Sequence, residues 1–181
     1  MTYRLTKDAQ GWPVLWTDRL MLRIPGADDV EPSARFWASE RSHMMGGPWT
    51  VEKTREGFDD ILDQWSRLGF SLFTVTRRKD ETAIGGIGPF YPSGHPEPEL
   101  GWSLWNAGDE GQGLAHEAAV AARDWFFDTS GHRTAVSYTD PANARSHRLC
   151  ERLGATVDPL APHPYGDEPT LTYRHHAGGQ A

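Results

Sequence analysis

The spacing of apolar residues divides the chain into short strands and longer helices. Thr17-Asp18-Arg19-Leu20-Met21-Leu22-Arg23-Ile24 alternates apolar and charged positions, as a half-buried strand does, and Pro25-Gly26 ends it. Residues 1–16 show no clear periodicity, although Trp12 and Trp16 point to packing. Asp28, Asp29 and Pro32 are helix-start residues, and Phe36, Trp37 and Met44 give a first helix a loose apolar face. Thr50 is placed to cap a second helix, whose stripe Phe58, Ile61, Leu62, Trp65 and Leu68 ends at Gly69. Phe70–Thr76 and Thr82–Phe90 read as strands joined by a tight polar turn at Lys79-Asp80-Glu81. A loop with four prolines spans Pro89–Pro98, and Leu100–Trp105 then reads as a buried strand. After the turn-rich run 106–113, the positions Leu114, Ala118, Ala122, Trp125 and Phe126 line one side of a long helix. Thr134–Thr139 is a short β-branched run, Asn143 to Leu153 a helix closed by Gly154, and Thr170–Arg174 a last strand. The predicted order, β-α-α-β-β-β-α-β-α-β-β, describes a single mixed α/β domain.

Composition narrows what such a domain does. With 181 residues including eight Trp, seven Phe and five Tyr, the chain has enough apolar surface for one real core. The predicted division is an N-terminal extension over 1–16, the domain proper over 17–176, and a disordered tail over 177–181. The 25 acidic against 18 basic residues leave a net charge of −7, and no Lys/Arg cluster exceeds Arg77-Arg78-Lys79. Nucleic acid is therefore a poor partner and cationic amines a better one; the basic triplet is expected at a solvated turn. No stretch is apolar enough to span a membrane, and MTYRLTKDAQ lacks the apolar core of a signal peptide. The single cysteine, Cys150, has no internal disulfide partner, so the expectation is a cytoplasmic protein. The eight histidines form no HExxH and have no cysteine partner, so no metal site is expected; no GxSxG supports a serine hydrolase either.

Strand, glycine-rich loop and long helix follow one another between Pro98 and Phe127 (PELGWSLWNAGDEGQGLAHEAAVAARDWFF). That order aims free backbone N–H groups and the positive end of a helix at one point, which binds an anion, most readily a phosphate. It is not the dinucleotide fingerprint: after Gly111 and Gly113 the third glycine position is His116, and Gly131 stands where the acid belongs. Nor does a lysine follow the glycines as in an NTPase phosphate loop. Gly85, Gly86 and Gly88 precede no helix, and mark a bulge or a close backbone approach. By contrast, Gly113-Leu114-Ala115 followed by Glu117-Ala118 resembles the acyl-CoA pyrophosphate loop of the GCN5-related N-acetyltransferases, in the subgroup like the ribosomal-protein N-terminal acetyltransferases. Asn143-x-x-Ser146-x-x-Leu149-x-x-x-Leu153-Gly154 resembles a second family motif, and Thr17–Arg23 resembles its first strand. Together with the element order, these cover about residues 17–175.

The resemblance implies a sheet parted between the family's fourth and fifth strands, here Glu99–Trp105 and Thr134–Thr139, flanked by about four helices. It also implies acetyl-CoA as co-substrate, without metal, and direct transfer to an amine in a ternary complex. The alternative is a CoA-binding regulatory module of the same fold without transferase activity. By resemblance, Gly111, Gln112, Gly113, Leu114, Ala115 and His116 hold the pyrophosphate, with Asn143 and Ser146 contributing, although Asn143 reads equally as a helix cap. Ser103 and Leu104, at the parted edge, offer N–H groups to the thioester carbonyl. Glu110, where the family often carries Arg or Gln, is expected to point to solvent, because a carboxylate repels phosphate. Glu99 lies where several family members place a base or a water-ordering carboxylate; a solvated strand-end acid is the plainer reading. The family commonly uses a tyrosine as proton donor to the thiolate at the position of Cys150. That leaves Ser146, Cys150 or water as the acid. The acceptor cleft maps to Met44, Trp49, Phe90, Trp102 and Tyr165. Its ligand is a small-molecule amine or a protein N-terminus, and a homodimer is left open.

Overall fold

The computed structural model describes residues 2–178. Its elements run β1 (Arg4–Lys7), β2 (Pro13–Trp16), β3 (Leu20–Arg23), α1 (Val30–Trp37), α2 (Val51–Leu68), β4 (Phe73–Arg77), β5 (Ala83–Phe90), β6 (Glu99–Leu104), α3 (Leu114–Ser130), β7 (Thr134–Thr139), α4 (Ala144–Arg152), β8 (Thr156–Val157) and β9 (Leu171–His176). The strands form one sheet in the order β1-β2-β3-β4-β5-β6-β7-β9-β8. Every neighbouring pair is antiparallel except β6 and β7, which run parallel and share a single register pair, Glu99↔Val136. Beyond that pair the two strands diverge, so the edge of β6 from Gly101 onward has no ladder partner on the β7 side. The expected parting between these strands, in a mixed and mostly antiparallel sheet with four α-helices, is borne out.

Local signals explain most of the elements. The Thr50 side chain accepts a hydrogen bond from Lys53 N at 3.1 Å, and Gly69 closes α2 in the left-handed region with φ 74°. From that helix Trp65 reaches the core, edge-on to Phe73 and beside Trp125. In α3 the run Ala118 to Ala122 is buried on successive faces, and these small side chains let the helix lie close over β3, β5 and β6. Gly85 is required by close approach, since a Cβ there would stand 2.2 Å from the Ser103 carbonyl oxygen. Opposite Val75 and Thr76 the register shifts by one residue, from Gly85 to Ala83, so Ile84 of β5 is the extra residue of the bulge that the glycine cluster anticipates.

Three features differ from expectation. Residues before Thr17 form a hairpin that extends the sheet; β1 is almost wholly exposed, so it carries no apolar alternation to read. It is held by the backbone ladder, by Trp16 Nε1 donating to Thr6 Oγ1 at 2.8 Å, and by Trp12 lying edge-on to Trp65. The first helix stops at Trp37, and Met44 belongs to a separate 3-10 segment, Glu40–Met45. The triplet 77–79 is not simply solvated: Arg77 donates to the buried Asp109 at 2.6 Å, and Arg78 donates to the Thr17 carbonyl at 2.8 Å. Of the expected disordered tail, Ala177 N donates to the Arg133 carbonyl, and residues 179–181 lie outside the described residues.

Candidate active site at the parting of the sheet

The glycine loop sits at the C-terminal end of β6. Gly111 (φ 72°) and Gly113 (φ 76°) both occupy the left-handed region, and Gly113 is the N-cap of α3 without any side-chain cap. The first intrahelical bond is Glu117 N to the Gly113 carbonyl, so the N–H groups of Leu114, Ala115 and His116 are left as donors at the positive end of the helix.

Side chains distant in sequence stiffen this loop and set its charge. Arg19 donates to the Gln112 carbonyl at 3.0 Å and pairs with Glu117 at 2.6 Å. Burial would raise the Glu117 carboxyl, but hydrogen bonds from Thr17 Oγ1, Arg19 N and the Arg19 side chain hold it below the usual range. Glu110 does not point to solvent, contrary to expectation: it accepts from both Arg41 and Arg145. Arg41 also donates to the carbonyls of Leu104 and Trp105, at 2.9 and 2.6 Å, tying the end of β6 to the loop. Two carboxylates thus stand among three guanidiniums, and the Glu110 repulsion anticipated for a phosphate is neutralised locally. The His116 ring, against the Arg152 carbonyl, is pushed down by desolvation. These residues fit a pyrophosphate: free N–H groups, no Cβ at the two glycines, and surplus positive charge.

Toward the other end of β6, where the strands still touch, a second group gathers. Glu99 is only 7% exposed, and burial raises its carboxyl above the usual range despite the nearby His95 and the Tyr138 main chain, which both favour the charged form. It is therefore not a solvated strand-end acid. Its Oε2 lies 3.4 Å from His95 Nδ1. Around that imidazole stand Phe90, Tyr138 and Tyr165, with ring centroids 6.2, 5.9 and 6.1 Å away. Tyr138 donates its hydroxyl to the Pro162 carbonyl, and its phenol is pushed up to about 12 by burial and then by the charges of Glu99 and Glu97. Glu97, by contrast, is spent: both its oxygens accept from Arg174 at 2.6 and 2.8 Å.

Between the two groups, α4 and β7 supply the remaining side chains. Asn143 caps α4, its Oδ1 accepting from Ser146 N at 3.2 Å, and Trp102 Nε1 donates to Ser146 Oγ at 3.2 Å. Cys150 is wholly buried, packed with Ala155 and Tyr173, and burial pushes its thiol up to about 12. Beneath it, Ser137 Oγ donates to the Leu100 carbonyl at 2.6 Å, a side-chain substitute for the missing ladder just where β6 and β7 part.

Of the five expected acceptor residues, the structure gathers Phe90 and Tyr165 around His95. Trp102 instead spans to Ser146, and Trp49 stacks on Trp37 at 3.9 Å with the Lys53 ammonium 4.7 Å from its ring. Met44 lies exposed on the 3-10 segment. Ser103 and Leu104 are on the parted stretch of β6, with the Leu104 carbonyl taken by Arg41. Sequence reasoning missed His95, Tyr138, Arg41, Arg145 and Ser137. His95 lies four residues before Glu99 in a proline-rich loop, a spacing with no meaning outside a helix, and the others come from elements that only topology brings near. Among the described residues no three His, Cys, Asp or Glu side chains converge as a metal site would, and no helix is long and apolar enough to cross a membrane.

Comparison with known proteins agrees with this architecture. Residues 19–156 match the model of the acetyltransferase (GNAT) domain. An acetyltransferase from Agrobacterium tumefaciens is 41% identical and superimposes with a TM-score of 0.85, over 91% of this chain and 94% of that one. A GNAT-family acetyltransferase from Bacillus anthracis shares the fold at 23% identity, with a TM-score of 0.70 over 89% and 95% of the two chains. RimL, a ribosomal L7/L12 α-N-protein acetyltransferase solved with coenzyme A, does so at 16% identity and a TM-score of 0.70, over 91% and 97%. With a parted sheet, a glycine loop at the head of α3 and a family match over most of its length, this chain belongs to the GNAT acetyltransferase family.

Proposed function

We propose that the protein transfers an acetyl group from acetyl-CoA to a primary amine, by direct attack in a ternary complex. The observation that carries this reading is the placing of two chemistries along one strand. An anion-binding helix start lies at the C-terminal end of β6 and a buried carboxylate, Glu99, at its N-terminal end, with an unpaired strand edge between them. Acetyl-CoA supplies the acyl group as a thioester. Leu114, Ala115 and His116 hold the pyrophosphate through their N–H groups, with Gly111 and Gly113 clearing the approach and Gln112 held by Arg19. The free edge of β6 around Ser103 and Leu104 donates toward the carbonyl oxygen as charge builds on it. The amine arrives as an ammonium with a pKa near ~10.4 and loses a proton within the Glu99 group. As the C–N bond forms and the C–S bond breaks, the thiolate takes a proton, and Ser146 Oγ is the side chain we assign to give it. Cys150, walled off from the cleft with its thiol raised, is a packing residue in this scheme.

RimL, which acts on a ribosomal protein, favours a protein N-terminus as one acceptor; the aromatic ring of Phe90, Tyr138 and Tyr165 suits any small cationic amine equally. The test is acetyl-CoA with a panel of polyamine, amino-acid amide and short free-N-terminal peptides, following thiol release, beside calorimetric titration with CoA. Turnover of at least one amine is expected. CoA binding without turnover on any of them would assign the protein to the regulatory alternative.

A further inference from the structure

The buried carboxylate that the proposed reaction depends on is badly placed to meet a substrate itself. Glu99 Oε2 is completely buried, and His95 Nδ1 lies 3.4 Å from it. The Tyr138 main chain lies close enough to favour the charged form of this carboxylate, but less than burial disfavours it. On the other side of the pair, His95 Nδ1 is likewise buried and without a hydrogen bond. Two buried polar atoms 3.4 Å apart, neither with another hydrogen bond, are costly unless a proton is shared between them. A proton on Nδ1 leaves Nε2, on the opposite side of the imidazole, as a lone pair directed away from Glu99.

We infer that His95 is the general base of the transfer, with Nε2 taking the proton of the acceptor ammonium, and that Glu99 is a positioning residue that fixes the Nδ1–H tautomer. This rests on the acetyltransferase reading above. The ammonium gives one proton to Nε2, and the neutral amine attacks the thioester carbon. The C–N bond forms as the C–S bond breaks, and the second nitrogen-bound proton balances the one taken by the thiolate. Phe90, Tyr138 and Tyr165, with ring centroids 6.2, 5.9 and 6.1 Å from that of the imidazole, surround it with aromatic surface suited to a cation. The charged and titratable groups around the pair come from every neighbouring element. They are Tyr138 on β7, Cys150 on α4, Tyr165, His163 and Glu168 on the loop before β9, Tyr91 at the start of the proline loop, and Glu97, neutralised by Arg174 of β9. Glu99 is the only buried carboxylate among them.

The experiment measures kcat and kcat/KM against pH for wild type, His95→Gln and Glu99→Gln on one accepted amine, with CoA affinity by calorimetry as the check on folding. His95→Gln is expected to lower kcat by about 10²-fold or more, to remove the acidic limb of the profile, and to leave CoA affinity unchanged. Imidazole added to His95→Ala restores part of the rate. Glu99→Gln lowers kcat but keeps an acidic limb, displaced to lower pH, because a neutral amide supports the imidazolium less well. If Glu99 is itself the base, the pattern inverts: Glu99→Gln loses the limb and His95→Gln keeps both limb and rate, which overturns the inference alone. Wild type that binds CoA yet turns over no amine overturns the acetyltransferase reading and the base assignment with it.

Discussion

Lowering the pH tests the buried joint that holds β6 and β7 where they part. His175 is 1% exposed, and its Nε2 lies 2.9 Å from Ser137 Oγ. Because the Ser137 hydroxyl proton goes to the Leu100 carbonyl, the imidazole must be the donor at Nε2, leaving Nδ1 as a buried lone pair without a partner. Protonating Nδ1 would place an unpaired cation in the core, with the buried Arg123 adding repulsion; desolvation, then Arg123, pushes the ring down to about 3 from 6.5. The folded value is depressed, so the stabilisation is complete above pH 6.5 and is lost as pH falls from 6.5 toward 3, where only the unfolded chain binds the proton. At pH 5, the gap of 1.5 units from 6.5 at about 1.36 kcal/mol per unit corresponds to about 2 kcal/mol, or roughly 4–8 °C in Tm for a chain of this size. The assay is urea unfolding of wild type and His175→Gln at pH 7.5 and pH 5. Other titrating groups, Glu99 and Glu117 included, are shared by the two proteins and cancel in the comparison. Wild type should lose about 2 kcal/mol more than the variant between the two pH values. Equal losses would refute the depressed histidine and with it the tautomer deduced from Ser137.

Three further outcomes are expected. Gly113→Val, at φ 76° and at the head of α3, should weaken CoA binding more than tenfold, over ~1.4 kcal/mol, by calorimetry on folded protein; unchanged affinity would remove the phosphate-loop assignment. The Cβ itself would meet only Arg19 Nη2 at 3.7 Å, so the effect would arise from backbone conformation and approach of the pyrophosphate rather than from a clash in the free protein. Ser146→Ala should lower kcat with acetyl-CoA affinity nearly intact, while Cys150→Ser leaves kcat near wild type; the reverse pattern in steady-state kinetics would make the thiol the donor. Gly85→Ala, whose Cβ would stand 2.2 Å from the Ser103 carbonyl oxygen, should cost about 1–3 kcal/mol in urea unfolding, and a stability equal to wild type would mean that β5 and β6 separate freely there.

What could be read from the residues in order was whatever short-range physics decides. Thr50 and Gly69 mark the ends of α2 because a helix terminus is satisfied within four residues, and the glycines before α3 predict free N–H groups for the same reason. The strands that bury one or both faces announced themselves by period, and the motif resemblance then placed the parting of the sheet. The hairpin of β1 and β2 did not, since an edge strand exposed on both faces is held by backbone bonds that any sequence can make. Charge was the least legible quantity. Glu110 read as repulsive toward phosphate until folding brought it Arg41 from 69 residues away and Arg145 from 35 residues away. Glu99 read equally as a solvated acid, because its immediate neighbours, Pro98 and Leu100, say nothing about what covers it. His95 from the preceding loop, Tyr138 from β7 and Tyr165 from the loop before β9 turn it into a desolvated carboxylate with one partner. Periodicity reports which face of an element is hidden; the dielectric and the partners that set a group's protonation come from chain segments far apart in sequence, and only the tertiary structure decides them.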